Sequence, residues 1–201
     1  MSVFVRAIPV LLVCLVLFSA CSPSSPPDHF AYADTAFTAA IRGTYTPSDG
    51  ISRPIAATVS VEEPRPNRDL SDRSMTLSFS QPSALEGATV STVFEADPQG
   101  RILRTVTFSY PSSYGEVKIT SEEEAFDGFL RFAEALLPLG DVTGISPVSE
   151  DGTRIVTRCT ADGMREAVFL FSDEENLPLR VVVTDAARQE RIEVTITQIC
   201  E

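Results

Sequence analysis

The strongest constraint on how this chain can fold is an alternation of apolar and polar side chains with a period of two residues, which recurs after residue 35. In 192–197, isoleucine and valine alternate with glutamate and threonine. Because successive side chains of a β-strand point to opposite faces, such a run predicts a strand with one buried and one solvated face. Runs of this kind occupy 37–45, 55–62, 75–80, 104–110, 153–160, 165–171, 178–184 and 190–199, and a run of less regular phase occupies 87–96.

Turn-forming residues separate these runs. Asp97-Pro98-Gln99-Gly100, Glu150-Asp151-Gly152 and Ala161-Asp162-Gly163 lie between consecutive runs, and 173–178 ends on a proline. Short connections of this kind form β-hairpins, and successive hairpins form a meander.

One segment breaks the period. Ser121-Glu122-Glu123-Glu124 has the S-x-x-E pattern of a capping box, and Pro138 and Gly140 are helix-ending residues. Between them, apolar side chains fall at helical spacing at Phe126, Phe129, Leu130, Ala133 and Leu137. The predicted fold class is therefore α+β: a curved antiparallel β-sheet (an open half-barrel built as a meander) packed on one main helix near 121–137. A short helical turn is also expected within 28–36.

The amino-terminal segment has the layout of an export signal. It contains one basic residue, Arg6, followed by an apolar run over 7–18 and the small residues Ser19 and Ala20. The 12-residue run is shorter than the about 20 apolar residues that a transmembrane helix needs. Phe18-Ser19-Ala20-Cys21 resembles the lipobox of bacterial lipoproteins. Simple secretion with a cut after Ala20, or a retained membrane anchor, are the alternatives.

The lipoprotein resemblance implies cleavage before Cys21 and attachment of diacylglyceride and palmitate to that residue. The chain then divides into a signal peptide (1–20), a lipidated Cys21 with a flexible, proline-rich tether (21–35), and a folded domain (36–201). The lipid would anchor the protein to the membrane on its extracytoplasmic side. Ser22 replaces the aspartate of inner-membrane retention signals, so in a cell with two membranes we expect the outer one.

The net charge is −12 at pH 7, and loss of the signal removes one further positive charge, Arg6. Nucleic-acid binding needs a basic footprint, so no nucleic-acid partner is predicted. The same charge disfavours contact of the domain with an anionic leaflet. We expect a monomer.

The cysteine pattern allows one bridge in the mature chain. Cys14 leaves with the signal and Cys21 takes the lipid, which leaves Cys159 and Cys200 as an even pair in an exported domain. A disulfide between them, or two free thiols, are both consistent with the sequence. No CxxC and no paired zinc-type spacing occurs, so no metal site is predicted.

Three stretches carry a family resemblance: the opening strand at 37–44, the connection at 81–87, and the hairpin at 173–180 with its Leu177-Pro178. In order and layout they are similar to the LolA/LolB/LppX-like group of bacterial lipoprotein carriers and lipid-binding lipoproteins. The resemblance implies an unclosed β-barrel, a helical lid and an apolar cavity between them. It implies no individual functional residue, because LolA lacks a lipid anchor and the apolar hook of LolB is not identifiable here.

Catalytic chemistry has little support in the sequence. The single histidine, His29, lies in the predicted tether, whereas catalytic groups need a rigid frame. No H-E-x-x-H, P-loop or G-x-G-x-x-G occurs, and tryptophan, which often stacks on sugars, is absent. We therefore predict a protein that is not an enzyme and has no cofactor.

The functional hypothesis is a membrane-anchored extracytoplasmic lipoprotein that binds or carries an apolar ligand, lipid or acyl, between sheet and helix. The alternative is a non-enzymatic protein-interaction module of the cell envelope, in which the same side chains form a packed core. A cavity of about 300 Å³ or more would favour the ligand. The predicted cavity residues are Phe37, Met75, Phe79, Phe108, Phe126, Phe129, Leu130, Phe132, Leu136 and Phe169.

Overall fold

The computed structural model describes residues 28–66, 69–99, 101–112, 115–121 and 127–200. These residues form one antiparallel sheet of 11 strands and one α-helix, α1, at Asp127–Glu134. The strands are β1 (Phe37–Thr46), β2 (Arg53–Val61), β3 (Met75–Gln81), β4 (Thr89–Ala96), β5 (Ile102–Ser112), β6 (Gly115–Ser121), β7 (Asp141–Ile145), β8 (Thr153–Cys159), β9 (Arg165–Ser172), β10 (Pro178–Asp185) and β11 (Glu190–Cys200).

The sheet consists of two meanders joined along one pair of strands. Its order is β6-β5-β4-β3-β2-β1-β11-β10-β9-β8-β7. Strands consecutive in sequence pair with each other except β6 and β7, and β1 pairs with β11. The sheet is not closed, and β6 and β7 are its two edges. Helix α1 lies between these two edge strands in sequence, and it packs on the central strands β1–β4 and β11.

The alternation seen in the sequence becomes one buried and one exposed face. Val59 and Leu77 are directly paired and fully buried, whereas the neighbouring pair, Thr58 and Ser78, is exposed. The buried faces of the strands meet α1 and the amino-terminal residues in one core. A large open antiparallel sheet with one helix, as predicted, is therefore confirmed.

Every strand that the sequence predicted is present. Two strands were not predicted, β6 and β7, and both are edge strands. All five residues of β7 are exposed, so no alternation marks it. In β6, only Val117 and Ile119 alternate with polar residues.

Helix α1 ends earlier than predicted. After Glu134 the chain tightens, with Leu136 N–H donating to Ala133 O (3.0 Å) and Leu137 N–H donating to Glu134 O (3.1 Å). Ala135, Leu136 and Leu137 are consecutive and are each at most 1% exposed. One face of a continuing helix could not bury three consecutive residues, so burial ends the helix before Pro138. The predicted capping box at 122–124 lies outside the described residues.

Residues 28–36, named here the N-terminal strap, pack against the sheet. The sequence assigned 28–35 to a flexible tether, but His29, Tyr32 and Ala33 are at most 5% exposed. The expected short helical turn is confirmed at Ala31–Asp34. The rings of the strap explain the difference, because they bury apolar surface that the preceding Ser/Pro run at 22–27 lacks. The signal, Cys21 and residues 22–27 lie outside the described residues.

No helix in the described ranges has both the length and the apolar character needed to cross a bilayer.

Candidate ligand-binding site

Two aromatic side chains of α1 lie on the buried face of the sheet. Phe129 packs edge-on against Phe79, with ring centroids 5.2 Å apart, and Phe132 packs against Tyr45 at 6.3 Å. Gly43 makes room for Phe132, because a Cβ at that position would lie 2.8 Å from its ring. The glycine therefore lets α1 approach the strands closely.

A small pocket lies between α1 and the sheet. It has a volume of about 140 Å³. Its lining residues, which define the helix pocket, are Tyr45, Arg53, Ile55, Gly128, Phe129 and Phe132. The lining is mainly apolar, but the volume is below the about 300–1,000 Å³ of typical small-molecule sites. In the described conformation, the helix pocket does not reach the volume that would favour a ligand, and it has room for only part of an acyl chain.

Apolar side chains continue from the centre of the sheet to its β6 edge. Phe108 and Tyr110 on β5 stack with their ring centroids 6.4 Å apart, and they pair directly with Ile119 and Val117 on β6. Val117 is 49% exposed and Ile119 is 48% exposed. These four residues, named here the edge strip, extend the buried face of the sheet to solvent.

The N-terminal strap covers the other half of the buried face. The Phe30 ring packs edge-on against Phe169 (5.0 Å) and Phe171 (5.3 Å). The Arg158 guanidinium lies 4.7 Å from the centroid of the Phe30 ring. Tyr32 donates a hydrogen bond to Leu136 O at 2.6 Å, which joins the strap to the segment after α1. Burial is the main reason why the pKa of Tyr32 lies well above its ordinary value.

His29 is held in place at the start of the strap. Its Nδ1 lies 2.6 Å from Asn176 Oδ1, and Asn176 Nδ2 donates to Asp28 O at 2.7 Å. Its ring packs on Phe171, and its Nε2 lies 3.4 Å from Arg154 Nη1. The expectation that His29 is mobile is therefore wrong. Its described hydrogen-bond partners are an amide and a guanidinium, which offer no nucleophile.

Arg73 fixes the far end of the strap. Its guanidinium donates to Ala33 O (2.6 Å), Thr35 O (2.5 Å) and Glu62 O (2.6 Å), and the residue is 2% exposed. Burial lowers the pKa of Arg73, and nearby acidic residues partly offset that effect. Because the three acceptors are backbone carbonyls of two separate segments, this residue joins the strap to the connection between β2 and β3.

A larger pocket opens where β1 and β3 begin and β2 ends, beside the middle of β4. Its volume is about 410 Å³, and its lining includes Phe37, Met75 and the exposed Cys200. Ser74 and Thr92 also line it, and their hydroxyls are buried without a hydrogen-bond partner among the described residues. Its wall mixes polar and apolar groups, unlike that of the helix pocket.

The structure places the predicted cavity residues that it describes in four settings. Phe129 and Phe132 line the helix pocket, and Phe37 and Met75 line the larger pocket. Phe79, Leu130, Leu136 and Phe169 are buried in the core, and Phe108 belongs to the edge strip. Phe126 lies outside the described residues. One continuous cavity lined by the whole set stays a prediction.

The sequence left a disulfide and two free thiols as alternatives, and the structure has the free thiols. Both Cys159 and Cys200 are free thiols. Cys159 aligns across β9 and β10 with Arg191 on β11, three strands away, and Cys200 lies nine residues further along β11. That is about 14 Å across the sheet and about 30 Å along it. A disulfide requires Cα atoms within about 7 Å, so strand pairing keeps the two thiols apart.

Sequence reasoning missed the arginines of the buried face. Arg154 and Arg158 share the buried face of β8 with Val156, and each is opposite an inward-facing residue of β9. The sequence spacing could have revealed them. Both arginines lie two residues from Val156, and residues two apart on a strand share a face. The described residues contain no group of three or more His, Cys, Asp or Glu side chains that could hold a metal ion.

Comparisons with known proteins find similarity at the level of overall layout. No protein-family profile matches the chain, and no curated protein matches it in sequence. Three solved structures are similar: a DUF1329 family protein from Desulfovibrio piger (11% identity, 85% of this chain and 90% of that chain, TM-score 0.41), a putative outer membrane lipoprotein-sorting protein domain from Vibrio parahaemolyticus (10%, 83% and 85%, 0.41) and a LolA superfamily protein from Nitrosomonas europaea (9%, 85% and 90%, 0.40).

A LolA superfamily protein, from the group that the sequence resembles, is among these neighbours. At this identity and these TM-scores, the likeness transfers no ligand and no functional residue to this chain.

Proposed function

We propose that the chain is an extracytoplasmic lipoprotein, anchored through Cys21, whose domain binds an apolar acyl or lipid ligand between α1 and the sheet. It acts without catalysis and without a cofactor, and in a cell with two membranes it resides at the outer one. The observation that carries the proposal is the continuity of apolar surface from the helix pocket, through Phe129 and Phe79, towards the edge strip. Val117 and Ile119 leave that surface open at the edge of the sheet.

Ligand entry requires α1 to move, because the helix pocket holds about 140 Å³. The described part of the helix has eight residues, and isolated helices of that length are marginal in water. Its position therefore depends on packing, mainly of Phe129 and Phe132. A guest acyl chain that replaced these contacts would bury similar apolar area at about 25 cal/mol per Å².

The test is native mass spectrometry of a chain that starts at Ser22, since every described contact lies within 28–200. Cooperative thermal unfolding serves as the folding control. We expect a 1:1 complex with didecanoylglycerol, an uncharged probe. Phe129→Trp should weaken the complex about tenfold, because a larger ring fills the helix pocket. Ile155→Trp, on the exposed face of β8, is the matched control and should bind normally.

Recovery of only bare protein would contradict ligand binding, and so would equal binding by the Phe129→Trp variant. Anchoring is tested separately by intact-mass analysis of the membrane-extracted full chain. A mass that includes residues 1–20, or an unmodified Cys21 thiol, would contradict it.

Strand β7 favours a second candidate function, docking of an envelope protein. All five residues of this edge strand are exposed, and Val142 and Ile145 are 45% and 53% exposed. Such an edge can accept a strand from a partner through backbone hydrogen bonds. In-cell crosslinking from Thr143 that captured one protein, together with absence of lipid binding, would favour docking over ligand carriage.

A further inference from the structure

The buried face of β8 carries two cations in a strongly acidic protein. Arg154 and Arg158 flank the fully buried Val156 on that face. The chain has a net charge of −12, so neither residue is needed there for solubility. Buried charges are costly unless they are paired, so their partners decide what these arginines do.

Arg158 is incompletely compensated. Its Nη2 donates to Gly140 O, and its guanidinium faces the Phe30 ring. Within the described ranges, it has no carboxylate at salt-bridge distance, and its buried Nε has no acceptor. Burial lowers the pKa of Arg158, with Asp141 among the acidic residues that offset this effect. An anion placed at this guanidinium would supply the missing acceptor.

Arg154 is better paired but also has a free donor. It forms a salt bridge with Asp173 at 3.0 Å, and its Nη1 lies 3.4 Å from His29 Nε2. Its buried Nε has no acceptor among the described residues. Arg154 therefore adds a positive charge beside Arg158. Its carboxylate partner, Asp173, forms no salt bridge with Arg158 among the described residues.

The floor next to the guanidinium of Arg158 is apolar. Val156, Phe169 and Phe171 are each 0% exposed, and the two phenylalanine rings stack with centroids 5.9 Å apart. Two rings of the strap lie on this floor: Phe30 packs on both phenylalanines, and His29 packs on Phe171. Arg73 fixes Ala33 and Thr35, whereas the strap before Ala33 is held by a few hydrogen bonds, from Tyr32 to Leu136 O and between Asn176 and the residues at 28–29. Access to the floor therefore requires the contacts at 28–29 to open.

The geometry points to a second binding site under the N-terminal strap, for a single-chain amphiphile with an anionic head. The head, a carboxylate or a phosphate, accepts hydrogen bonds from Arg158, and the acyl chain replaces Phe30 on Phe169 and Phe171. Arginine suits this role because its planar fork matches both head groups. This site goes beyond the proposed function, since it lies on β8 and β9 rather than in the helix pocket.

The test is equilibrium dialysis of the chain starting at Ser22 with radiolabelled palmitate, lysophosphatidylglycerol and hexadecanol. Palmitate and the lysolipid distinguish carboxylate from phosphate heads, and hexadecanol has the same chain length without charge. We expect at least one anionic probe to bind about tenfold or more tighter than hexadecanol. Arg158→Gln should remove that advantage and leave hexadecanol unchanged. Arg180→Gln, an exposed arginine paired with Glu193, is the control.

Phe30→Ala provides a measurement that a purely structural role would not predict. It removes the side chain that competes with the ligand, so it should tighten binding of the anionic probe several-fold. If Arg158→Gln fails to fold, Arg158→Lys, which keeps the charge but not the planar fork, should weaken that binding.

Equal binding of charged and uncharged probes would overturn the site. So would an unchanged affinity after Arg158→Gln, or after Arg158→Lys if that variant alone folds, or weaker binding after Phe30→Ala. Phe129→Trp should weaken binding of didecanoylglycerol about tenfold and leave binding of the anionic probe unchanged, so failure of this site is distinguishable from failure of the proposed function.

Discussion

At the residue scale, Arg73 shows how one buried side chain can hold two distant segments together. Its three acceptors are backbone carbonyls of the strap and of the β2–β3 connection. A methionine of similar size would leave those carbonyls without a donor. We expect Arg73→Met to lower the free energy of unfolding by about 3 kcal/mol, measured by urea denaturation.

Arg53→Met is the matched control for this substitution. Arg53 also forms an ion pair, with Asp49 at 2.7 Å, but its side chain is 56% exposed. Exposed pairs contribute little, so this variant should change stability by less than about 1 kcal/mol. Similar losses of unfolding free energy for Arg73→Met and Arg53→Met would show that Arg73 does not hold the strap to the β2–β3 connection.

Tyr45 gives a pH-dependent prediction. It donates a hydrogen bond to Glu190 Oε1 at 2.8 Å, and burial together with that bond raises the pKa of Tyr45 to about 12. The native state therefore keeps the phenol proton at a pH where the unfolded chain has lost it. Stability from this group is fully present below the unfolded pKa of about 10, and it is lost as pH rises through about 12.

Tyr45→Phe removes both the hydrogen bond and the titration. At pH 7 we expect it to cost about 1 kcal/mol. Between pH 10 and pH 12 the free energy of unfolding should fall faster for the wild-type protein than for the variant. The difference in unfolding free energy between the two proteins should therefore narrow. Urea denaturation of both proteins at several pH values measures this, and parallel curves would show that the folded-state pKa is not raised.

At the scale of elements, the strands were predictable wherever one face is buried and the other is solvated. Strand β7 has no buried residue, and β6 has two apolar residues on one face, so neither gave enough alternation. The pairing of β1 with β11 was not predictable either. It joins residues about 150 positions apart, and no local turn encodes such a contact.

The packing of α1 on the sheet was predictable from the sequence, but the position of the strap was not. Helical spacing correctly brought Phe129 and Phe132 to the sheet, because that periodicity places them on one face. Sequence reasoning treated 28–35 as a tether, because composition alone does not reveal that Phe30 fits on Phe169 and Phe171. Specific fit between distant rings is a tertiary property, and it also determined the buried partners of Arg154 and Arg158.

Gly140 offers a test of how the segment after α1 is connected to the sheet. Its φ is +77°, and a Cβ there would lie 2.6 Å from the carbonyl carbon of Cys159. Gly152 has nearly the same φ, +73°, but has nothing within 4 Å of such an atom. Gly152→Ala should therefore lower the free energy of unfolding by about 1 kcal/mol, which is the cost of placing an alanine at positive φ without any clash.

Gly140→Ala has the same cost of a non-glycine residue at positive φ, and in addition its Cβ would clash with the backbone of β8. We expect it to cost about 3 kcal/mol or more in thermal or urea unfolding. The difference between the two variants measures the close approach of residue 140 to β8. Equal losses of unfolding free energy for the two variants would show that the backbone at residue 140 can move away from β8 without cost.

At the scale of the whole molecule, one open sheet carries two different covers on one face. Helix α1 covers the β1–β4 half, and the N-terminal strap covers the β8–β9 half. The two covers meet where Tyr32 donates to Leu136 O. Both covers are short segments held by a few rings and hydrogen bonds, whereas the sheet is one continuous ladder. We therefore expect local opening to occur at the covers, and the proposed ligand would enter there.

The sheet topology also predicts the redox behaviour of the protein. Strand order and register place Cys159 and Cys200 at opposite ends of strands three positions apart, far beyond disulfide range. The purified chain starting at Ser22 should therefore contain two titratable thiols. Cys200, which is exposed, should react with Ellman's reagent before the partly buried Cys159.

The free energy of unfolding should be the same with and without reductant. The Cys159→Ser/Cys200→Ser double variant should have nearly the same free energy of unfolding as the wild-type protein. A bridge between the two would close a loop of about 40 residues and contribute about 4 kcal/mol. A reductant-dependent loss of that size, with no thiol titrated, would mean that β8 and β11 lie much closer than this strand order allows. The thiol titration therefore tests the arrangement of the whole sheet.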